Sequence, residues 1–264
     1  MRVGDALRQA EARLAAAGVP TPRVDAEWLV AHVLGVGRAA LYAELHRDVG
    51  PELEQLLRRR ESREPLAYVL GEWGFRGLTL KTDARALVPR PETETVVERA
   101  LALVRDLPEP RVLDVGVGSG AIALALADEH PGVRVTGVDS SRDALALARE
   151  NAEQLGLAVE LREGDGLEAA REGWDVVVSN PPYVETLEGL EPELGWEPRG
   201  ALLGSGFHGE LARAARTTWL VLEVGDGEAP RVAEELAAAG YAEIAVTADL
   251  AGKQRVVEGR RVHN

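Results

Sequence analysis

The stretch VVVSNPPYV, residues 176–184, carries the residue types most suggestive of chemistry. A short apolar run reads as a buried strand, and it stops on Asn180, Pro181, Pro182 and Tyr183. Asn180 and Pro181 each precede a proline, which pushes both to extended backbone. Neither proline can donate a backbone hydrogen bond. The segment is therefore a stiff loop offering two acceptors in fixed directions, the Asn180 side-chain oxygen and the Pro181 carbonyl. Two such acceptors match the two N–H bonds of one planar NH₂ group. Tyr183 adds a flat face of the kind found in nucleobase pockets. The plainer reading is a strand terminator followed by a surface tyrosine.

A planar amide or aniline-like nitrogen is a weak nucleophile, because its lone pair is delocalised. A catalyst acting on it gains most by placing it in line with an electrophile, which is worth roughly 7–11 kcal/mol in favourable cases. Acceptors on its N–H bonds also stabilise positive charge that develops during attack, the mirror image of an oxyanion hole. No strong base is demanded, and no histidine adjoins the motif.

A second motif supplies a place for a cofactor. VLDVGVGSG, residues 112–120, is a strand running into alternate glycines, Gly116, Gly118 and Gly120, with Val117 and Ser119 between them. Alternate glycines let the main chain bend tightly and approach a ligand closely. The spacing is G-x-G-x-G, where the dinucleotide fingerprint requires G-x-G-x-x-G, which counts against a nicotinamide oxidoreductase. Asp139 ends the next strand, nineteen residues beyond Gly120, where an α/β nucleotide site places a carboxylate for ribose hydroxyls. Asp165 and Gly166 end a third strand, where an acid could accept from an exocyclic amino group of adenine. Tight turns and a helix cap would explain the same residues without a ligand. Together these features resemble the S-adenosylmethionine site of the Rossmann-like methyltransferases. The resemblance places the glycine loop against the methionine part, Asp139 on the ribose and the Asp165 segment beside adenine.

The elements that must hold these residues are legible in the pattern. Residues 1–66 read as amphipathic helices, in DALRQAEARLAAAG, PRVDAEWLVAHVLG and PELEQLLRRRES, with Gly18 and Gly35 at helix stops. The run RRRESRE, salted with acids, is expected as a solvated helix face. Residues 67–90 carry glycines, aromatics and short alternations that predict one or two β-hairpins as a connector. From residue 91 to 264, apolar strands alternate with helical stretches, the signature of a parallel sheet covered on both faces. The last two of three closing strands are expected to form a hairpin at the sheet edge, one of them antiparallel. The predicted fold is α/β, a Rossmann-like sheet of about seven mostly parallel strands with a small N-terminal helical domain.

Composition narrows the partners. The 264 residues hold 44 acids against 30 bases, a net charge of −14 that opposes phosphate backbones and anionic membranes. No direct nucleic-acid binding is expected. Cysteine is absent, and the five histidines (His32, His46, His130, His208, His263) have no ligand spacing, so no metal site is expected. No signal-peptide core or 18-residue apolar run occurs, which makes the cytoplasm the expected location.

SNPPY resembles the [NDS]PP[YFW] element of methyltransferases acting on planar exocyclic nitrogen. On its own it leaves open adenine, cytosine, guanine or a glutamine side chain. Over nearly the whole chain, TPRVDAEWLVAHVLG, EPLAYVLGEWGFRGL, LVPRPETE, the loop at 114–120, SNPPYV, EPRGAL and GKQRVVEGR resemble the release-factor glutamine methyltransferases. That resemblance implies an enzyme of translation termination. Its substrate would be the side-chain amide nitrogen of the glutamine in the Gly-Gly-Gln motif of peptide chain release factors. Ribosomal-protein glutamine and nucleic-acid exocyclic amines are the alternatives. The resemblance gives Gly116 to Gly120 and Asp139 to the cofactor, Asn180 to both ligands, and Pro181, Pro182 and Tyr183 to the glutamine, with Asn180, Pro181 and Tyr183 catalytic. Gly166 stands where several relatives carry an aromatic ring against adenine. Phe75 and residues 90–93 are expected along the cofactor's open side, and the N-terminal helices are expected to engage the release factor.

Overall fold

A computed structural model describes residues 1–184, 186 and 188–262, so His263 lies outside the described residues. Two compact units form: residues 1–72 with 190–196, and 73–189 with the chain from 197 onward.

The first unit is helical, with α1 (Val3–Ala16), α2 (Pro22–Leu34), α3 (Glu52–Glu61) and α4 (Leu66–Leu70). In α1 the buried side chains Val3, Ala6, Leu7, Ala10 and Leu14 recur every three or four residues, the stripe along which a helix packs. Gly35 closes α2 in the left-handed conformation at φ 66°. The RRRESRE segment departs from the solvated face expected of it. Arg60 is only 4% exposed; it donates to Asp25 at 2.7 Å and pairs with Glu193 at 2.8 Å. Arg63 donates to the same Glu193 carboxylate at 2.6 and 2.8 Å. A buried guanidinium survives only opposite acids. These acids come from α2 and from residues 190–196, too far along the chain for local charge pattern to reveal. Residues 66–70 also depart from the hairpin reading. With Pro65 before them and a left-handed Gly71 after them, they close one turn of helix.

The second unit opens with one hairpin, β1 (Glu72–Phe75) and β2 (Leu78–Lys81), followed by α5 (Glu94–Val104). The alternation then runs β3 (Arg111–Val115), α6 (Ala121–Glu129), β4 (Arg134–Asp139), α7 (Arg142–Leu155), β5 (Glu160–Glu163), α8 (Gly166–Ala169) and β6 (Trp174–Ser179). It continues with α9 (Arg199–Leu202), α10 (Phe207–Ala214), β7 (Thr217–Glu223), α11 (Ala229–Ala238), β8 (Tyr241–Ala248) and β9 (Gln254–Arg261). The seven strands β3 to β9 order as β5-β4-β3-β6-β7-β9-β8. All pairs from β5 to β7 are parallel, and β9 runs antiparallel to both β7 and β8. The closing hairpin therefore sits at the edge, as its sequence implies.

Alternate residues of the central strands feed two cores. Val112, Val176 and Val178 pack with α5 and α6, whereas Leu113, Val115 and Val177 pack with α10 and α11. Period-two alternation between two covered faces is why these strands read as unbroken apolar runs. The strand order turns back at β3, with β4 on one side and β6 on the other. Open α/β sheets bind ligands outside the carboxyl ends of the strands at such a reversal. Among the described residues, no helix is long and apolar enough to cross a membrane.

Candidate active site

A cavity of about 720 Å³ opens at that reversal, within the range typical of small-molecule sites. It is lined by the carboxyl ends of four strands through Val115, Asp139, Glu163 and Ser179, by Gly116 to Ser119, and by Asn180 to Pro182. Another cavity, of about 650 Å³, lies by Arg111, Trp174 and Thr217 at the amino ends of the strands, away from both motifs.

The glycine loop is built from main chain. Gly116, Gly118 and Gly120 have φ of 76°, 56° and 89°, a region that side-chain-bearing residues rarely enter. Nothing lies within 4 Å of where a Gly116 Cβ would stand, so the loop fronts open space. Four of its five N–H groups are nevertheless occupied. Gly116 and Val117 donate to the Val138 carbonyl at 2.8 and 3.1 Å, and Gly120 donates to Val117 at 2.8 Å. Gly118 donates to Asp139 Oδ2 at 3.0 Å. A loop with its donors spent this way offers little to a pyrophosphate. Asp139, Glu163 and Asp165 bring carboxylates to the same cavity, which suits a cationic ligand such as a sulfonium and repels phosphate. The residues present fit S-adenosylmethionine better than a dinucleotide.

Each expected cofactor residue has a definite place. Asp139 also accepts from Ser141 N at 2.9 Å, which fixes its carboxylate while leaving lone pairs for a ligand. Asp165 lines the cavity and also caps α8, accepting from Leu167 N at 2.8 Å. Gly166 lines the cavity, and a Cβ there would stand 2.3 Å from Val115 Cγ1. An aromatic at that position would require the strand end to shift. Gly120 departs from the expected lining, because a Cβ there would meet Leu124 Cδ1 at 2.9 Å; its task is close packing of α6. Phe75 departs too. It is 1% exposed in the core, whereas Arg90 and Thr93 do line the cavity.

The Asn180 loop is held by side chains. Asn180 Nδ2 donates to Thr93 Oγ1 at 3.2 Å. That bond commits the amide nitrogen and leaves Oδ1 as the atom Asn180 offers to the cavity. Pro181 and Pro182 line the cavity beside it. Beyond Tyr183 the loop is tied down, with Val184 N donating to Leu202 O at 3.0 Å and Gly204 N to Val184 O at 3.1 Å. Tyr183 is half-buried and not part of the cavity lining; burial foremost, then the nearby Glu223 charge, pushes its hydroxyl up to about 12.

The sequence patterns of two known domains match the chain: the PrmC N-terminal domain over residues 5–71, and the methyltransferase small domain over residues 97–196. A release factor glutamine methyltransferase of Deinococcus radiodurans is 42% identical over 276 residues, covering 99% of each chain. The chain belongs to the release factor glutamine methyltransferase family. A second such methyltransferase, of Geobacter sulfurreducens, is 40% identical and covers 94% of this chain and 92% of its own. Among solved structures, the N-terminal domain of human METTL16 in complex with SAH matches with a TM-score of 0.52. It covers 71% of this chain and 77% of its own at 18% identity, a likeness of fold alone.

Several residues of this methyltransferase site escape motif reading. Asp114, fully buried beneath the glycine loop, accepts from Ala123 N at 3.1 Å. Burial foremost, and the Asp139 charge, push its carboxyl up to about 7. Asn151 on α7 accepts from Lys81 N at 2.7 Å and donates to Ser119 O at 2.9 Å, tying the loop to β2. Glu197, in the EPRGAL stretch, accepts from Val88 N at 2.9 Å and binds Arg90. Thr93 takes the Asn180 amide through its hydroxyl, and Glu223 at the end of β7 is buried with its Oε2 unpartnered among the described residues. Only Glu197 and Thr93 lie in stretches whose composition singles them out.

Proposed function

We propose that this enzyme transfers a methyl group from S-adenosylmethionine to the side-chain amide nitrogen of the glutamine in the Gly-Gly-Gln motif of a peptide chain release factor. The observation that carries the reading is the bond from Asn180 Nδ2 to Thr93, which turns the Asn180 oxygen into an acceptor beside a cofactor-sized cavity. Family membership supports the same substrate.

Bound S-adenosylmethionine supplies a methyl carbon made electrophilic by its sulfonium sulfur. The residues of this chain do the rest. Asn180 Oδ1 and the Pro181 carbonyl take the two N–H bonds of the substrate amide, fixing its plane and the direction of its nitrogen lone pair. Both acceptors also stabilise positive charge as it grows on nitrogen, with no reorganisation. Pro182 and Tyr183 keep the loop rigid and shield the amide from water, which strengthens both bonds. No strong base is needed, because a methylated amide nitrogen becomes acidic enough to lose its proton to an acceptor or water. Gly116 to Ser119 and Asp139 hold the cofactor's methionine and ribose parts, Gly120 seats the loop on α6, and Asp165 and Gly166 border the adenine. The helices of residues 1–66 form a domain that grips the release factor, with residues 67–90 as connector and 91–264 as the catalytic domain. Release factors work on ribosomes, so the reaction is assigned to the cytoplasm.

Incubation with methyl-labelled cofactor and a release factor tests this. Label is expected on the parent factor and absent when its target glutamine is changed to alanine. Label persisting on that variant, or passing instead to a ribosomal protein or nucleic acid, would reject the assignment.

A further inference from the structure

We propose that Gly204 and Gly225 are positioning residues for methyl transfer: by lacking a Cβ they seat Pro182 and Tyr183, and through them aim the Pro181 carbonyl. This deepens the function above and rests on that carbonyl receiving the substrate amide.

Neither glycine is explained by its own backbone. Gly116 and Gly206 take the left-handed conformation, whereas Gly204 and Gly225 stay outside it, so backbone alone does not require glycine at either place. Space does. A Cβ at Gly204 would stand 2.9 Å from both the Cβ and the carbonyl oxygen of Pro182, and 3.4 Å from its carbonyl carbon. A Cβ at Gly225 would stand 3.0 Å from Cδ2 of the Tyr183 ring and 2.7 Å from Glu228 Oε2. The Glu228 carboxylate ends a flexible chain and can swing aside; a proline main chain cannot. Two glycines, one following α9 and one following β7, thus meet consecutive residues of a single loop.

Each glycine is itself pinned, so a side chain there would move the loop. Gly204 N donates to Val184 O at 3.1 Å and Val184 N to Leu202 O at 3.0 Å, a short parallel bridge that keeps Gly204 beside the loop. Gly225 is buried; it donates to Glu228 Oε2 at 3.0 Å, and Val224 N before it donates to Arg255 O at 2.8 Å. The loop has little slack to absorb a push. The rings of Pro181 and Pro182 lock their φ angles, and the Pro181 carbonyl carbon is bonded directly to Pro182 N. Displacement of Pro182 or Tyr183 therefore reaches the acceptor. A misplacement of about 1 Å can cost on the order of 10²-fold in rate. The glycine loop at 116–120 follows a different strand, β3, and should keep its hold on cofactor.

The test uses the full chain with Gly204→Ala, Gly225→Ala, Tyr183→Ala and the last two combined. Gly259→Ala on β9, where a Cβ would crowd Leu236 and Tyr241 at 3.1 Å, controls for packing alone. The readouts are kcat, KM for the protein substrate, cofactor Kd and Tm, with crystal structures of the parent and Gly204→Ala. Gly204→Ala should lower kcat about tenfold or more with cofactor Kd within about threefold. Gly259→Ala should lower Tm and leave kcat within about twofold. Gly225→Ala should lower kcat about threefold or more in the parent, yet by less than about twofold once the Tyr183 ring is gone, because the clash is with that ring. In the crystals the Pro181 carbonyl should move by about 0.5 Å or more while residues 116–119 stay in place. A folded Gly204→Ala with an unmoved carbonyl or turnover within about threefold of parent overturns the proposal. So does a Gly225→Ala cost that is the same with and without the ring, and that comparison decides alone should Gly204→Ala fail to fold. If the carbonyl moves as expected while the parent methylates no glutamine, the seats stand and the assigned substrate falls.

Discussion

Asp114 and Glu223 are two buried carboxyls behind the cavity, one beneath the glycine loop and one behind the Asn180 loop. Each has an oxygen without a partner among the described residues, and burial pushes each up to about 7. What they hold differs. Asp114 accepts from a main-chain N–H at the start of α6, a donor that cannot reverse. Glu223 has its main-chain carbonyl taken by His208 Nε2 at 2.9 Å, while its Oε2 has no partner among the described residues. The cofactor side of the cavity is thus assembled from backbone and is fixed once folded, whereas the substrate side is held by the side-chain bond from Asn180 Nδ2 to Thr93.

The largest expected contrast lies between Asn180→Ala and Asp139→Ala. Asn180→Ala should fold and bind cofactor normally yet lose about 10²–10³-fold in kcat, as when one transition-state hydrogen bond is removed. Turnover within a few-fold of parent would mean that Asn180 does not orient the nucleophile. Asp139→Ala removes the acceptor for Gly118 N and Ser141 N. Calorimetric titration should show cofactor affinity falling about 10–100-fold, since hydrogen bonds to charged groups are worth about 1.5–3 kcal/mol. An Asp139→Ala defect confined to kcat would erase the division between the two sides.

A smaller effect separates the buried carboxyls from ordinary acids. Both are raised above their unfolded values, so their contribution to stability is fullest below about pH 4 and is lost as pH rises through about 7. Asp114→Asn and Glu223→Gln abolish that loss. Each should raise unfolding free energy at pH 8 by about 1–3 kcal/mol, with little gain at pH 5, in urea denaturation. An equal gain at both pH values would show that the carboxyls are not the titrating groups.

Backbone construction also explains what a sequence reader could see. The G-x-G-x-G loop, the strand-ending Asp139 and the extended Asn-Pro-Pro-Tyr are local: each declares its backbone in three to five consecutive residues. The helix and strand periods of residues 1–61 and 111–261 are local in the same sense. The bond from Asn180 to Thr93 joins the loop after β6 to the turn before α5, and no spacing along the chain marks it. Arg60 and Glu193 are hidden for the same reason: a charge run looks solvated until its distant acids are in place. Phe75 misleads because an aromatic in a glycine-rich connector suits a cofactor wall as well as a core, and only burial decides.

The central claim is that Asn180 Oδ1 and the Pro181 carbonyl together receive one planar NH₂ next to the methyl donor. A crystal structure of the enzyme with S-adenosylhomocysteine and a Gly-Gly-Gln peptide tests it most directly. The account predicts the glutamine amide nitrogen within about 2.7–3.2 Å of both oxygens, facing the sulfur, with Asn180 Nδ2 still on Thr93. A glutamine nitrogen lying away from residue 180, or meeting Asn180 through its NH₂, would contradict it.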